Sequence, residues 1–423
     1  MSNSAVRYSA ETYVEEPGDL WSAGLPERLR DMAVRLVPAG DSAEDGYRWV
    51  HPDGKPINEL EDPSRRSDEG TTPGGLLAAL GRDAIDGAVL YPSAAALAYA
   101  HCKDSALLSA VLDVYNEWIL AVAAAEPDRL KAIALLNVDD PAGEVRTMRR
   151  LADRGAAGFV VPSAPGQGRR YDQRRYEVLW RTAVELDRPL SLLIGTGRAT
   201  EMRTAGQEAA VPQPDATPTA AAVLAFHATA VFPTRRSLTA IIFAGVFERH
   251  PALRIGAVGF GAAWAAYAMA RADEMYEVRP ERAGPPTRVP EAIRVARSFG
   301  DDDPDVGAIA GDDRSGTRGM APEGVGYYFP PGERFSDHFR RNVFLTFRKD
   351  ELAIALRDFI GAEMLLWGQG RRESPAEQDG QVRKTLDEFL ATVPDRDRAY
   401  MTRDNAARLY GFDAVAAQRG SSS

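Results

Sequence analysis

Eight short apolar runs, rich in Val, Ile, Leu and Phe and bounded by turn residues, recur along the 423-residue chain: Val6–Tyr13, Ile85–Tyr91, Leu130–Val138, Ala157–Pro162, Leu190–Gly195, Leu253–Phe260, Asn342–Phe347 and Met364–Gly368. They lack strict polar alternation, so each reads as a strand buried on both faces, the habit of parallel sheets. Helical patterns lie between them. Ser105–Ala125 keeps Leu108, Val111, Leu112, Tyr115 and Ile119 on one face and follows a Ser cap. Pro141–Arg154 opens on Pro and stops at Gly155; Arg174–Asp187, Ala262–Tyr276 and Lys349–Ile360 continue the alternation. Strand–helix alternation of this kind predicts an α/β fold, a (β/α)8 TIM barrel occupying residues 1–423 as a single domain. A doubly wound sheet is the competing arrangement, but no Gly-rich fingerprint follows the first strand. Gly195-Thr196-Gly197 and Gly259-Phe260-Gly261 follow the fifth and sixth strands and read as tight turns.

Three stretches depart from the repeat: about 39–69, 196–222 and 279–331. Long insertions of this composition read as lids, binding loops or flexible surface segments. The second and third follow strands five and six, where they would reach the catalytic face of a barrel. A net charge of −10 argues against a nucleic-acid footprint or a polybasic membrane surface. A single cysteine, Cys102, excludes a disulfide framework and a thiolate-rich metal site. No apolar run reaches transmembrane length by eye and Met1–Val6 lacks the pattern of a signal peptide, so the expectation is a cytoplasmic protein with no membrane partner. Arginine far outnumbers lysine, which with heavy Ala, Gly and Pro use suggests a GC-rich, bacterial source.

Several motifs carry a resemblance. They are Glu16-Pro17-Gly18-Asp19-Leu20-Trp21, Tyr115-Asn116-Glu117-Trp118, Glu126-Pro127-Asp128-Arg129-Leu130 and Phe243-Ala244-Gly245-Val246-Phe247-Glu248-Arg249-His250-Pro251. Gly261-Ala262-Ala263-Trp264, Phe339-Arg340-Arg341-Asn342-Val343-Phe344, Leu366-Trp367-Gly368 and Asn405-Ala406-Ala407-Arg408-Leu409-Tyr410-Gly411 follow. In their order and spacing, over almost the whole chain, they resemble the amidohydrolase superfamily, in its amidohydrolase-2 group of aminocarboxymuconate-semialdehyde decarboxylase-like enzymes. The resemblance implies a barrel with a divalent metal held at its strand ends.

At the positions where the family places ligands, this chain differs. The acid-x-His pair of the first strand reads Glu11-Thr12-Tyr13; the histidine ending the fifth strand is Leu193; the Glu or His of the sixth is Gly259; and the aspartate of the eighth is Gly370, in Trp367-Gly368-Gln369-Gly370. Zinc and similar ions need three or four N, O or S donors at about 2.0–2.3 Å. Leu193, Gly259 and Gly370 offer none, and a protonated Tyr13 is a poor ligand. None of the five histidines, His51, His101, His227, His250 and His338, falls on a ligand position. The expectation is therefore no catalytic metal and no other cofactor.

Two readings follow. In one, the mouth serves metal-independent chemistry on a small, carboxylate-bearing molecule, in bacterial specialised metabolism. Glu11, Tyr13 and His338 are then the candidate catalytic groups, Glu11 as a general acid or base of raised pKa and Tyr13 as a proton donor. Arg198, Arg371, Arg372 and Glu373 are the candidate substrate-binding groups, the arginines through charge-assisted hydrogen bonds. Each has a structural alternative: Arg371 and Arg372 as solvated loop residues, Glu11 as their ion-pair partner, His338 as a cap or packing residue. In the other reading the chain is a pseudoenzyme, the inactive partner of an active paralogue. The family's habit of dimerising implies a homodimer or a heterodimer with that paralogue. A conventional metal-dependent hydrolase or decarboxylase remains if the strand ends are misaligned.

Overall fold

A computed structural model describes residues 6–32, 34–41, 46–56, 68–166, 168–198, 225, 228–277, 329–330, 332–370 and 381–412. Among the described residues ten strands run in chain order: β1 (Tyr8–Tyr13), β2 (Arg35–Pro38), β3 (Tyr47–Val50), β4 (Gly87–Tyr91), β5 (Leu130–Leu135), β6 (Gly158–Pro162), β7 (Leu190–Leu193), β8 (Ile255–Val258), β9 (Val343–Phe347) and β10 (Leu365–Trp367). Eight of them form one parallel sheet in the order β1-β4-β5-β6-β7-β8-β9-β10. The ends of that sheet meet. Gly370 N–H donates to the Glu11 carbonyl at 2.9 Å and Tyr13 N–H to the Gly370 carbonyl at 3.4 Å, so the seam closes at β1 and β10. The fold is a (β/α)8 barrel.

All eight barrel strands fall within the apolar runs of the sequence. The reason is their burial: every residue of β4, β5 (Lys131 excepted), β6, β7, β8, β9 and β10 is buried between the barrel interior and the helical layer. The helix Ser105–Ala124 is capped by Asp104, whose carboxylate accepts from Leu107 N–H at 2.7 Å, rather than by the serine after it. By length and composition this helix is apolar enough to cross a membrane, contrary to the sequence expectation. Its apolar face is nonetheless the barrel's own: Leu108, Tyr115 and Ile119 are fully buried, and the Asn116 amide exchanges two hydrogen bonds with the Leu135 backbone of β5 (2.9 and 2.7 Å). The helix Pro141–Asp153 starts on its proline under an Asp140 cap, and Gly155 follows with φ +97, as the start and stop residues require.

The stretch around 39–69 is not structureless. It contains β3, which pairs antiparallel with β2 in the register Arg35↔Val50 to Pro38↔Tyr47. Trp49 of this hairpin packs edge-on against Trp21 at 5.0 Å, fixing the hairpin to the barrel. Residues 199–222 of the second insertion, and 279–328 and 331 of the third, lie outside the described residues. The third does not leave from the carboxyl end of the sixth barrel strand. A helix, Trp264–Glu277, intervenes, and its far end meets Phe329, whose N–H donates to the Tyr276 hydroxyl at 3.2 Å. Antiparallel packing of barrel helices carries the chain away from the mouth before position 278.

Candidate functional site

The carboxyl ends of the strands form a mouth with two unlike sides. Over β4 to β7 lies the short helix Ala94–His101. Its amino end sits on the buried carboxylate of Glu16, which accepts the N–H groups of Ser93 (3.1 Å), Ala94 (3.0 Å) and Ala95 (3.0 Å). Burial pushes this carboxyl up to about 7 despite those donors. Leu97 reaches over Gly195 at the end of β7, and the Tyr99 hydroxyl donates to the Leu136 carbonyl at 2.8 Å. The carboxyl end of the helix is held by Arg198, whose Nη1 donates to the carbonyls of Tyr99 (3.0 Å) and Cys102 (2.8 Å) while Nη2 pairs with Asp139 at 3.0 Å. Both charged side chains are almost fully buried, at 5% and 8% exposure. Arg198 is thus a clamp on the roof, its two terminal nitrogens committed to protein acceptors, and not an open anion-binding group. Burial also pushes the half-buried Cys102 thiol up to about 11, leaving it a weak nucleophile.

The opposite side, from β8 through β9 and β10 to β1, carries the chemistry-bearing groups. Glu11 is buried, and its carboxyl is hydrogen-bonded by the hydroxyls of Thr346 and Tyr13 and by the Gly259 N–H. Desolvation raises its pKa above the ordinary carboxylate range, against the pull of those bonds and of the Arg348 charge. Thr346 is itself fully buried and accepts the Gly259 N–H at 3.0 Å, so β1, β8 and β9 converge on one hydroxyl. Glu11 and Tyr13 are therefore brought together. Beneath them, Tyr91 joins Ser191 (2.9 Å) and Tyr410 (3.0 Å) through its hydroxyl in the barrel interior.

His338 is not part of this group. It lies in the helix Phe335–Asn342, stacked on Phe329 at 4.4 Å and set between Glu248 (Nδ1, 3.1 Å) and Glu333 (Nε2, 3.0 Å). Asn342, at the end of the same helix, donates to the Pro251 and Leu253 carbonyls ahead of β8, which places the helix in the outer layer rather than at the mouth. Arg371, Arg372 and Glu373 lie outside the described residues. Sequence reasoning passed over Arg348, Thr346 and Glu16.

A model of the amidohydrolase family, in its amidohydrolase-2 form, matches residues 42–305, more than half of the chain. The chain belongs to the amidohydrolase family. No curated protein sequence matches it. Among solved structures, this amidohydrolase is similar to one from Mycobacterium avium subsp. paratuberculosis K-10 (TM-score 0.68, 16% identity, covering 97% of this chain and 100% of the other). It is also similar to the 5-carboxyvanillate decarboxylase of Novosphingobium aromaticivorans complexed with manganese and 4-hydroxy-3-methoxy-5-nitrobenzoic acid (TM-score 0.62, 16% identity, 97% of each chain). A third is the 2,6-dihydroxybenzoate decarboxylase of Rhizobium (TM-score 0.55, 18% identity, 97% of this chain and 99% of that one). At these identities the likeness is one of fold.

The family implies a divalent ion, and among the described residues the strand ends set out above do not supply its ligands. Leu193 is fully buried at the end of β7 and carries no donor. Gly259 stands at φ +87, and a Cβ built there would lie 2.7 Å from the Tyr13 hydroxyl and 2.5 Å from an Ile194 methyl. The space for a side-chain ligand on β8 is therefore filled from β1 and β7. Gly370 stands at φ +70, with Arg348 packed against it. Glu11 and Tyr13 alone do not make the three or four donors such an ion requires. Among the described residues, the one His/Cys/Asp/Glu cluster with suitably close ligand atoms is Glu248, Glu333 and His338, in the helical layer. There Arg341 already supplies the cation, its Nη2 lying 3.1 Å from Glu248 and 2.9 Å from His338 Nδ1.

Proposed function

We propose that this amidohydrolase-family chain is a metal-independent enzyme acting on a small, carboxylate-bearing organic molecule at the β8–β10–β1 side of its barrel mouth. The observation that carries this reading is the setting of Glu11: a desolvated carboxyl ringed by two hydroxyls and a backbone N–H, with an arginine charge nearby. A carboxyl whose pKa is raised above the ordinary carboxylate range is a better proton donor and base than an exposed one. Glu11 is the group that gives or takes the proton, Tyr13 orients it and relays through its hydroxyl, and Thr346 holds both against β8 and β9. The substrate class is supported by the aromatic carboxylic acids named for the structurally similar decarboxylases, one of which is a complex with a nitrobenzoic acid.

The test is turnover of a panel of aromatic and aliphatic carboxylic acids by the chelator-treated protein. Retained turnover that disappears in Glu11→Gln supports the reading. Turnover that vanishes with the chelator and returns with manganese contradicts it. A second reading is favoured by the fully buried Leu193 and the filled space at Gly259, which leave no side-chain donor at these two strand ends. In it the chain is the inactive subunit of a dimer with a paralogue. Co-purification with an active paralogue, and no turnover by this chain alone, would decide for it.

A further inference from the structure

We infer that Arg169 and Arg175, beside the buried Arg198–Asp139 pair, form a seat for a phosphate group on the roof side of the mouth. The assignment is independent of the reading of Glu11. It starts from a surplus of positive charge around one aspartate. Asp139 follows β5, Arg169 and Arg175 stand between β6 and the helix Glu177–Glu185, and Arg198 follows β7. Arg198 and Asp139 pair at 3.0 Å, and each neutralises the other. Two further guanidinium groups converge on the same residue. Arg169 Nη1 donates to the Asp139 carbonyl at 3.3 Å, and Arg175 Nη2 donates to the same oxygen at 3.1 Å. Arg169 Nη1 also lies 3.5 Å from Asp139 Oδ1, but that carboxylate is already matched by Arg198. Among the described residues Arg175 has no carboxylate partner; its contacts are that carbonyl and the ring of Tyr176, 5.9 Å from the guanidinium carbon. Its Nε is buried and has no acceptor. The neighbouring Arg170 is matched by Asp172 through Nε (3.1 Å) and Nη2 (2.9 Å) and leaves the balance unchanged. Three positive charges, on Arg169, Arg175 and Arg198, against the one negative charge of Asp139 leave two without a counter-charge.

Like charges gathered on one carbonyl oxygen repel, and a buried cationic donor without an acceptor costs free energy. The local structure holds them there all the same. Arg169 N–H closes a turn on the Gly166 carbonyl at 3.0 Å, and Gly166, at φ +74, lies so close against the Arg198 stem that a Cβ would not fit. The Tyr171 hydroxyl donates to the Pro162 carbonyl at the end of β6 (2.7 Å), and its ring packs edge-on against Tyr176 (4.9 Å) and Trp180 (5.6 Å). Both guanidinium groups are thus presented from a pinned segment. Arg169 is 23% exposed and Arg175 is half-buried, so solvent reaches both. Among the described residues, Arg175 Nη1 and Arg169 Nε and Nη2 bond no protein acceptor. A phosphate group answers both demands: it carries close to two negative charges near neutral pH, and its several oxygens can bridge two guanidinium groups. A carboxylate would cancel only one of the two charges.

The experiment is calorimetric titration of the whole protein, in chloride buffer of low ionic strength, with inorganic phosphate, glycerol phosphate and acetate. The expected result is saturable binding of phosphate, free or esterified, and none of acetate; the tighter of the two phosphates tells a free ion from an esterified ligand. Arg175→Gln and Arg169→Gln should each weaken binding about ten- to hundredfold, the worth of a charge-assisted hydrogen bond, with Arg175→Lys in between. Thermal unfolding in chloride shows that the variants are folded. In the wild-type protein, phosphate should slow backbone hydrogen exchange across residues 168–176, a readout needing no variant. No phosphate binding by wild type, equal affinity for acetate, or full affinity in both glutamine variants overturns the assignment, and none of these outcomes bears on Glu11.

Discussion

The two sides of the barrel mouth hold charged groups of the same kinds and use them in opposite ways. Over β4 to β7, buried Glu16 accepts three backbone N–H groups at one end of the helix Ala94–His101, and buried Arg198, paired with Asp139, holds the carbonyls at its other end, so the helix is fastened as a roof. Over β8 to β1, Glu11 is desolvated beside the Tyr13 and Thr346 hydroxyls, and the Arg348 charge acts on it. An arginine held by carbonyls and a buried acid is architecture, whereas a desolvated carboxyl beside two hydroxyls is the group proposed above to move a proton.

The contrast can be broken from the roof side with the largest effect. Arg198→Ala leaves Asp139 buried without its principal partner, and denaturant unfolding should show a loss of about 3–5 kcal/mol. A smaller effect is expected at Gly259. Gly259→Ala adds a methyl 2.7 Å from the Tyr13 hydroxyl at a positive φ, for about 1–3 kcal/mol of destabilisation. Tyr13→Phe should recover part of it in a double-mutant cycle, whereas strict additivity would mean that the hydroxyl does not fill that space. Thr346→Val removes the hydroxyl that accepts the Gly259 N–H and bonds Glu11, for about 1–2 kcal/mol by the same unfolding measurement.

A further effect is a slope in pH. Glu16 has a folded-state pKa raised from 4.5 to about 7, so its protonated form is favoured by folding. Its stabilising contribution is complete below the unfolded value and is lost as pH rises through the folded one. Wild-type stability should therefore carry a downward component of about one proton between those limits, and Glu16→Gln should remove it. A wild-type curve whose slope in that window is unchanged by the substitution would place Glu16 among ordinary ionised caps.

The barrel was legible in the sequence because parallel strands buried on both faces, such as Gly87–Tyr91 and Gly158–Pro162, appear as unbroken apolar runs. The roof helix was not, since Ala94–His101 is apolar almost all round and shows no amphipathic period. The β2–β3 hairpin escaped for the opposite reason: its strands are short, half-exposed and broken by Pro38 and Gly40. At the mouth, Glu11 and Tyr13 were found because they are two apart on one strand and share a face. His338 and Arg198 were misplaced because proximity to a strand end in sequence does not say which layer a side chain enters. Arg348 was missed because its contact with Gly370 crosses between loops 22 positions apart, and no local pattern records such a crossing.

The account turns on a mouth that works without the family's ion. Its most direct test is elemental analysis of the protein produced with ample manganese and zinc and then gel-filtered. The account predicts far less than one ion per chain, with Glu11-dependent turnover intact. One tightly held manganese or zinc per chain, lost together with activity on chelation, would contradict it.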